Sequence, residues 1–111
     1  MKLLFLILNK VDVLDELLEK LAESGIKGAT IIGSKGMARA LSDYSDASFL
    51  GSLRAVLSPD REENKTILAV LPEDKVPTAV AVIEQTVGDL SLPDTGILFT
   101  VPVDFHKGVT L

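Results

Sequence analysis

A short run in the first third of the chain carries the residue types best suited to hold an anion. Lys35 and Gly36 are adjacent, and Arg39 follows them closely. Backbone amides beside a glycine can converge on an anionic oxygen, and cationic side chains add charge-assisted hydrogen bonds. The alternative is a solvated turn that follows a strand. The pattern indicates a candidate anion site and leaves both interpretations open.

Catalytic and metal chemistry have far less support. The chain has no cysteine and one histidine, His106, near its C-terminus. No nucleophile, base and orienting residue form a set, so we expect no enzymatic activity and no catalytic residue. Asp43, Asp46 and His106 could be recruited to a metal, but no ligand spacing links them, so we expect no metal site.

Length, charge and hydropathy limit the class of protein. The 111 residues fit one domain, residues 1–111, and a net charge of −5 argues against a nucleic-acid binder. A mean hydropathy of +0.35 is high for so small a domain and favours self-association. The apolar start ends at Asn9 without a cleavage site, so we interpret it as a buried strand. We expect a cytoplasmic protein without membrane insertion.

Hydrophobic periodicity predicts the order β-α-β-β-α-β. The predicted strands are residues 3–8, 27–33, 66–71 and 97–103. Asp12 is predicted to cap the first helix, which ends at Gly25; Gly88 closes the second. This order is typical of an α+β, ferredoxin-like sandwich with an antiparallel sheet and helices on one face. The other face would be apolar and bare, which predicts an oligomer.

Residues 34–64 are predicted to be a long loop between the second and third strands. Its first half is small and polar, and its second half has apolar residues near helical spacing. That second half is interpreted either as a helix that docks a partner or as extra core of the protein's own assembly. The predicted partner-binding residues are Tyr44, Phe49, Leu50, Leu53 and Arg54.

Two stretches carry a family resemblance. They are GIKGATIIGSKGMAR, residues 25–39, and TGILFTVPV, residues 95–103. Together with the opening strand and helix, they resemble the nitrogen-regulatory protein PII superfamily over nearly the whole chain outside the loop. The resemblance implies a homotrimer that binds ATP or ADP, often with 2-oxoglutarate, in clefts between subunits. It also implies that the loop, called the T-loop, engages a partner protein such as a transporter or an enzyme.

The resemblance also implies roles for single residues. Gly28 and Thr30 match positions that contact adenine, and Lys35 belongs to the lysine-glycine pair that opens the T-loop. Positions beside the phosphates are matched by Gly36, Arg39 and, in the phosphate-binding turn, Gly96.

Some expected cations are missing. The family has a lysine directly after the turn glycine, where this chain has Ile97, and two C-terminal arginines, where this chain offers His106 and Lys107. We therefore expect weak adenine-nucleotide binding at most, or another small anion as ligand. The alternatives are a CutA-like metal-tolerance or structural trimer of the same fold, and a weak enzyme that uses the cleft.

Overall fold

The structure is a computed structural model that describes residues 1–44 and 63–110, with side chains described up to Leu41 and from Glu63 onward. Its elements in chain order are β1 (Lys2–Leu8), α1 (Leu14–Glu23), β2 (Ala29–Ser34), α2 (Met37–Tyr44), β3 (Asn64–Leu71), α3 (Val76–Val87) and β4 (Gly96–Pro102). Short 3₁₀ turns, Val11–Val13 and Glu73–Lys75, lead into α1 and α3.

The four strands form one sheet in the order β2-β3-β1-β4, and every neighbouring pair is antiparallel. Phe5 in the middle of β1 lies opposite Leu68 of β3 and Phe99 of β4. The α+β class and the antiparallel sheet are therefore confirmed, and the architecture is compatible with a ferredoxin-like fold. β4 is an edge strand, as Pro102 at its end predicts, because proline cannot donate to a further strand.

One sheet face, here called the helix face, carries the core. Alternate residues of β1 and β3 point to it and are buried together with the apolar stripes of α1 and α3. The most deeply buried side chains are those of Leu6, Leu8, Leu17, Ile67, Ile83 and Val87. Each stabilises the fold by about 1.5–3 kcal/mol relative to an exposed side chain.

The opposite face, here called the open face, is formed by the remaining alternate side chains. Its members are Leu3, Phe5, Ile7, Thr30, Ile32, Ser34, Asn64, Thr66, Leu68, Val70, Ile97, Phe99 and Val101. None of them is ionisable, and Ile97, Phe99 and Ile32 are 56%, 43% and 46% exposed. The rings of Phe5 and Phe99 stack with centroids 4.8 Å apart. This face is apolar, as predicted.

Two local predictions are wrong. Asp12 does not cap α1; it lies in the 3₁₀ turn, where the amide of Val13 donates to the carbonyl of Lys10 at 3.3 Å. The predicted loop is shorter at both ends, because Ser34 ends β2, Asn64 begins β3, and α2 occupies residues 37–44. The run Met-Ala-Arg-Ala-Leu consists of strong helix formers, which favours this helix without tertiary burial.

The predicted helix ends are confirmed. Gly25 follows α1 with a φ of +88°, and Gly88 ends α3 with a φ of +101°, a region that glycine enters without strain. No helix within residues 1–44 and 63–110 is long and apolar enough to cross a membrane.

Candidate functional site

The candidate anion residues lie together where the chain leaves the sheet. Lys35 and Gly36 connect β2 to α2, and Arg39 lies in the first turn of α2. The carbonyl of Gly36 accepts the amide of Ala40 at 2.9 Å, which starts the helix. Lys35 is exposed and Arg39 is half-buried. The sequence-predicted cluster is therefore compact, and it lies at the N-terminus of a helix.

The other resemblance-derived residues lie elsewhere on the sheet. Gly28 comes just before β2, at the opposite end of that strand from Gly36. Thr30 is exposed on the open face, opposite Leu68 of β3. Gly96 begins β4, opposite Leu8 of β1. The six predicted ligand residues are thus distributed over both edges of the sheet.

The sheet order separates the two groups of residues. We call the loop end that end of the sheet where β1 and β2 finish and β3 and β4 begin. Gly36 and Gly96 both lie near the loop end, but on opposite edge strands, with β3 and β1 between those strands. Three interstrand spacings place the edges about 14 Å apart. One chain alone therefore does not bring these glycines into a single small-ligand site.

Gly96 has a packing role of its own. A Cβ at this position would lie 3.0 Å from the carbonyl oxygen of Ile7, 3.5 Å from Leu90 and 3.6 Å from Leu6. Gly28, by comparison, has open space at the corresponding point. Gly96 is required by close backbone approach, whereas nothing among the described neighbours requires a glycine at position 28.

The predicted partner-binding residues are not placed by the structure. Phe49, Leu50, Leu53 and Arg54 lie outside the described residues, and Tyr44 is described only as the last residue of α2. Their roles stay predictions.

The three residues considered as metal ligands are only partly placed. Asp46 lies outside the described residues, and the side chain of Asp43 is not described, whereas His106 is exposed in the segment after β4. Within the described parts of the chain, no group of three His, Asp or Glu side chains could hold a metal ion.

The structure reveals a polar network that the sequence did not predict. Four half-buried, uncharged side chains, those of Asn9, Ser34, Asn64 and Thr66, connect β2, β3 and the end of β1 at the loop end. The Ser34 hydroxyl lies 2.7 Å from the Thr66 hydroxyl and also contacts the side-chain oxygen of Asn64. The Asn64 side-chain amide donates to Asn9 Oδ1 at 3.4 Å. Small polar residues at the two boundaries of the predicted loop were the available signal.

A turn ties β4 to the same end of the sheet. The backbone carbonyl of Thr95 accepts the amides of Asn9 at 3.2 Å and Lys10 at 3.3 Å. The Thr95 hydroxyl donates to the carbonyl of Pro93 at 3.2 Å, and Thr95 is buried. Asp94 beside it has a φ of +59°, which aspartate tolerates better than most residues. This turn thus holds the start of β4 against the end of β1.

A shallow depression at the C-terminal end of α3 lies apart from the predicted residues. Glu84, Asp89 and Ser91 contribute to its lining. Ser91 donates to Asp89 Oδ1 from its hydroxyl at 2.6 Å and from its backbone amide at 2.9 Å, and these hydrogen bonds lower the pKa of the Asp89 carboxyl. The satisfied carboxylate stabilises the turn that follows α3.

Comparison with protein-family models gives no match to this chain, and a search of curated proteins finds no related sequence either.

Proposed function

We propose that this chain is a PII-like sensor, a homotrimer whose subunits bind a small anionic ligand in clefts between them. In this proposal, each subunit is a ferredoxin-like β-α-β-β-α-β sandwich. The parallel pairs β1 with β2 and β3 with β4 are each joined through a helix and separated by one intervening strand, which supports that topology.

The proposal rests mainly on one observation: the two groups of ligand residues are separated across the sheet. Lys35, Gly36 and Arg39 lie at the β2 edge, and Gly96 lies at the β4 edge, about 14 Å away by strand spacing. A ring of subunits places the β2 edge of one copy near the β4 edge of the next. Such a ring forms one complete site at each contact from two half-sites.

The open face supplies the surface for self-association. A chain with a net charge of −5 repels copies of itself, so the contact requires an uncharged surface. The open face has no ionisable side chain, and its stacked Phe5 and Phe99 lie beside the exposed Ile97. Burial of this apolar face against neighbouring copies provides the driving force.

The ligand would act by shifting the conformations of the segment that follows α2. Lys35, Gly36 and Arg39 lie directly at the start of α2, so a bound anion would contact the helix that leads into that segment. A ligand that binds one conformer more tightly raises the population of that conformer. The partner protein, a transporter or an enzyme, would respond to this change in population.

Ligand binding is tested by calorimetry and thermal shift with ADP, ATP, 2-oxoglutarate and bicarbonate, with divalent metals added as a separate arm. At least one of the anions should raise the melting temperature, because a ligand of the native state stabilises it. ATP should bind weakly, since Ile97 stands where the family has a phosphate-contacting lysine. Each missing charged hydrogen bond costs about 1.5–3 kcal/mol. Tight ATP binding would contradict this expectation.

A matched pair of lysine variants locates the binding site. Lys35→Ala should abolish the anion-induced shift, whereas Lys20→Ala, an equally exposed lysine on α1, should leave it unchanged. Equal loss in both variants would indicate a general charge effect and would count against the site. A shift produced by metals alone would favour the metal-tolerance alternative.

A further inference from the structure

The polar network lies where the chain leaves the sheet and where it returns. Ser34 is the last residue of β2 and Asn64 the first residue of β3, and the two are direct partners in the sheet register. The chain therefore leaves the sheet and returns to it at one pair of facing residues. We call the residues between them the 35–63 excursion. Thr66 and Asn9 extend the network from that pair to the third residue of β3 and to the residue directly after β1.

The hydrogen bonds of the network share one hydroxyl group. The Ser34 hydroxyl contacts Asn64 Oδ1 and lies 3.4 Å from the Asn64 backbone carbonyl oxygen. It also lies 2.7 Å from the Thr66 hydroxyl, and either of these two hydroxyls can donate. The Asn64 side-chain amide donates a hydrogen bond to Asn9 Oδ1. Hydrogen bonds that follow one another in this way strengthen each other, so loss of one member weakens the rest.

The network lies beside the candidate anion turn. A Cβ built on Gly36 would lie 3.6 Å from Asn64 Nδ2, so the Asn64 side chain is a near neighbour of the turn. Ser34 directly precedes Lys35 in the chain. The network is therefore joined to the turn through the backbone at Ser34 and lies next to it at Asn64.

We propose that this network is a clamp that positions the turn of Lys35 and Gly36 and holds the two ends of the 35–63 excursion together. The consequence for ligand binding rests on the proposed function, but the clamp itself does not. Ser34, Asn64 and Thr66 act as positioning residues, since they set the geometry of the anion-binding backbone without contributing charge to it. Asn9 anchors the clamp to the central strand.

The chemistry of the clamp suits its location on the open face. Its members are uncharged, and each makes a hydrogen bond within the network. A satisfied neutral group costs little free energy when a neighbouring copy removes it from water, whereas an unpaired charge there would cost much more. The clamp can therefore remain intact whether the open face is covered or not.

Hydrogen exchange of the full-length protein without ligand tests the clamp. Thr66→Val keeps the shape of the side chain and removes the hydroxyl, so exchange in peptides that cover residues 32–36 and 64–67 should rise about fivefold, as for the loss of one hydrogen bond. Thr66→Ser, which keeps the hydroxyl, should restore exchange to within a factor of two of wild type. Thr30→Val is the control, because Thr30 lies on the same face outside the network, and its exchange profile should match wild type.

Exchange in Thr66→Val that equals wild type would overturn the clamp, and so would an equal rise over β1 and α3. Failure of Thr66→Ser to restore protection would assign the effect to packing and would also overturn it. The positioning role is tested separately, by measuring how tightly the variant binds the anion that shifts the wild-type melting temperature. Its dissociation constant should rise at least fivefold in Thr66→Val, and an unchanged constant would overturn that role. If no anion shifts the wild type, the proposed function fails while the exchange result still decides the clamp.

Discussion

At the scale of single residues, the two glycines of the resemblance differ in what they do for the fold. Gly96 approaches the carbonyl oxygen of Ile7 so closely that a methyl group has no room, whereas Gly28 faces open space. Both glycines match family positions beside the ligand, yet only one of them is required by packing. Substitution by alanine separates these roles.

We predict that Gly96→Ala lowers the free energy of unfolding by about 1–3 kcal/mol, because the new Cβ would push against backbone and not against a movable side chain. Gly28→Ala should be neutral or stabilising by up to about 1 kcal/mol, since it reduces the entropy of the unfolded chain. Urea denaturation monitored by circular dichroism measures both. Equal effects of the two substitutions would show that the close approach at Gly96 is not maintained in solution.

A second residue-scale prediction concerns the pH dependence of the turn after α3. Hydrogen bonds from Ser91 lower the pKa of Asp89 in the folded protein, so they stabilise the fold above the ordinary carboxyl pKa of about 4 and lose this effect as the pH falls through the lowered value. Ser91→Ala should therefore lower the melting temperature more at pH 7 than at pH 2.

The control for this prediction is Ser24→Ala. The Ser24 hydroxyl donates to the carbonyl of Lys20 at 3.0 Å, and a carbonyl does not titrate. Its effect on the melting temperature should be the same at both pH values. A loss in Ser91→Ala that persists unchanged at pH 2 would show that the carboxylate is not the source of the stabilisation.

At the scale of elements, α2 stands outside the packed core. Its described side chains, Met37 to Leu41, are exposed or half-buried, and Met37 is 79% exposed. The helix forms where its residues have high intrinsic propensity, and nothing buried among the described residues depends on it. The sheet and the two packed helices carry the fold instead.

We therefore predict that replacing residues 38–60 with a short glycine-serine linker leaves the sheet, α1 and α3 folded. The replacement removes most of α2 but none of the core residues found within residues 1–44 and 63–110, and loop-closure entropy changes only slowly with length. Circular dichroism and mass measurement should show a folded protein of unchanged subunit number, and pull-down should show that partner binding is lost. Unfolding of the variant would instead assign Phe49 and its neighbours to the core.

At the scale of the whole molecule, the main feature that a single chain does not explain is the exposure of the apolar open face. On the open face, the exposed large apolar side chains are Ile32 on β2 and Ile97, Phe99 and Val101 on β4, and exposed apolar surface of this kind commonly marks contact surfaces. The protein's own helices cover the helix face over β1 and β3, although Ile31 of β2 on that face is 40% exposed. The open face, to which all four strands contribute, is the sheet surface left for another copy.

We predict that light scattering after size exclusion gives three times the chain mass of 11.9 kDa at micromolar concentration. Ile97→Asp should dissociate this assembly, because burial of an unpaired carboxylate is strongly unfavourable. Leu92→Asp is the matched control, since Leu92 is 58% exposed and Ile97 56%, but Leu92 lies in a turn outside the sheet. A monomeric wild type would contradict both the trimer and the cleft between subunits.

The sequence by itself determined the parts of the fold that depend on local pattern. Alternating or continuous apolar runs predicted all four strands within two residues of their bounds, and helical spacing predicted α1 and α3. Glycines at the helix ends and the Pro93-Asp94 turn were predictable for the same reason. These features follow from backbone preferences and from burial of one face of each element, which neighbouring residues encode.

Only the tertiary structure decided which distant residues meet. Ser34 and Asn64 become partners because β2 and β3 pair in one register, and a shift of β2 by one residue would turn the Ser34 side chain to the helix face, away from Asn64. The same pairing places Gly36 and Gly96 on opposite edges, although the sequence resemblance groups them in one site. Strand order and register depend on the packing of the whole core, so no local pattern contains them.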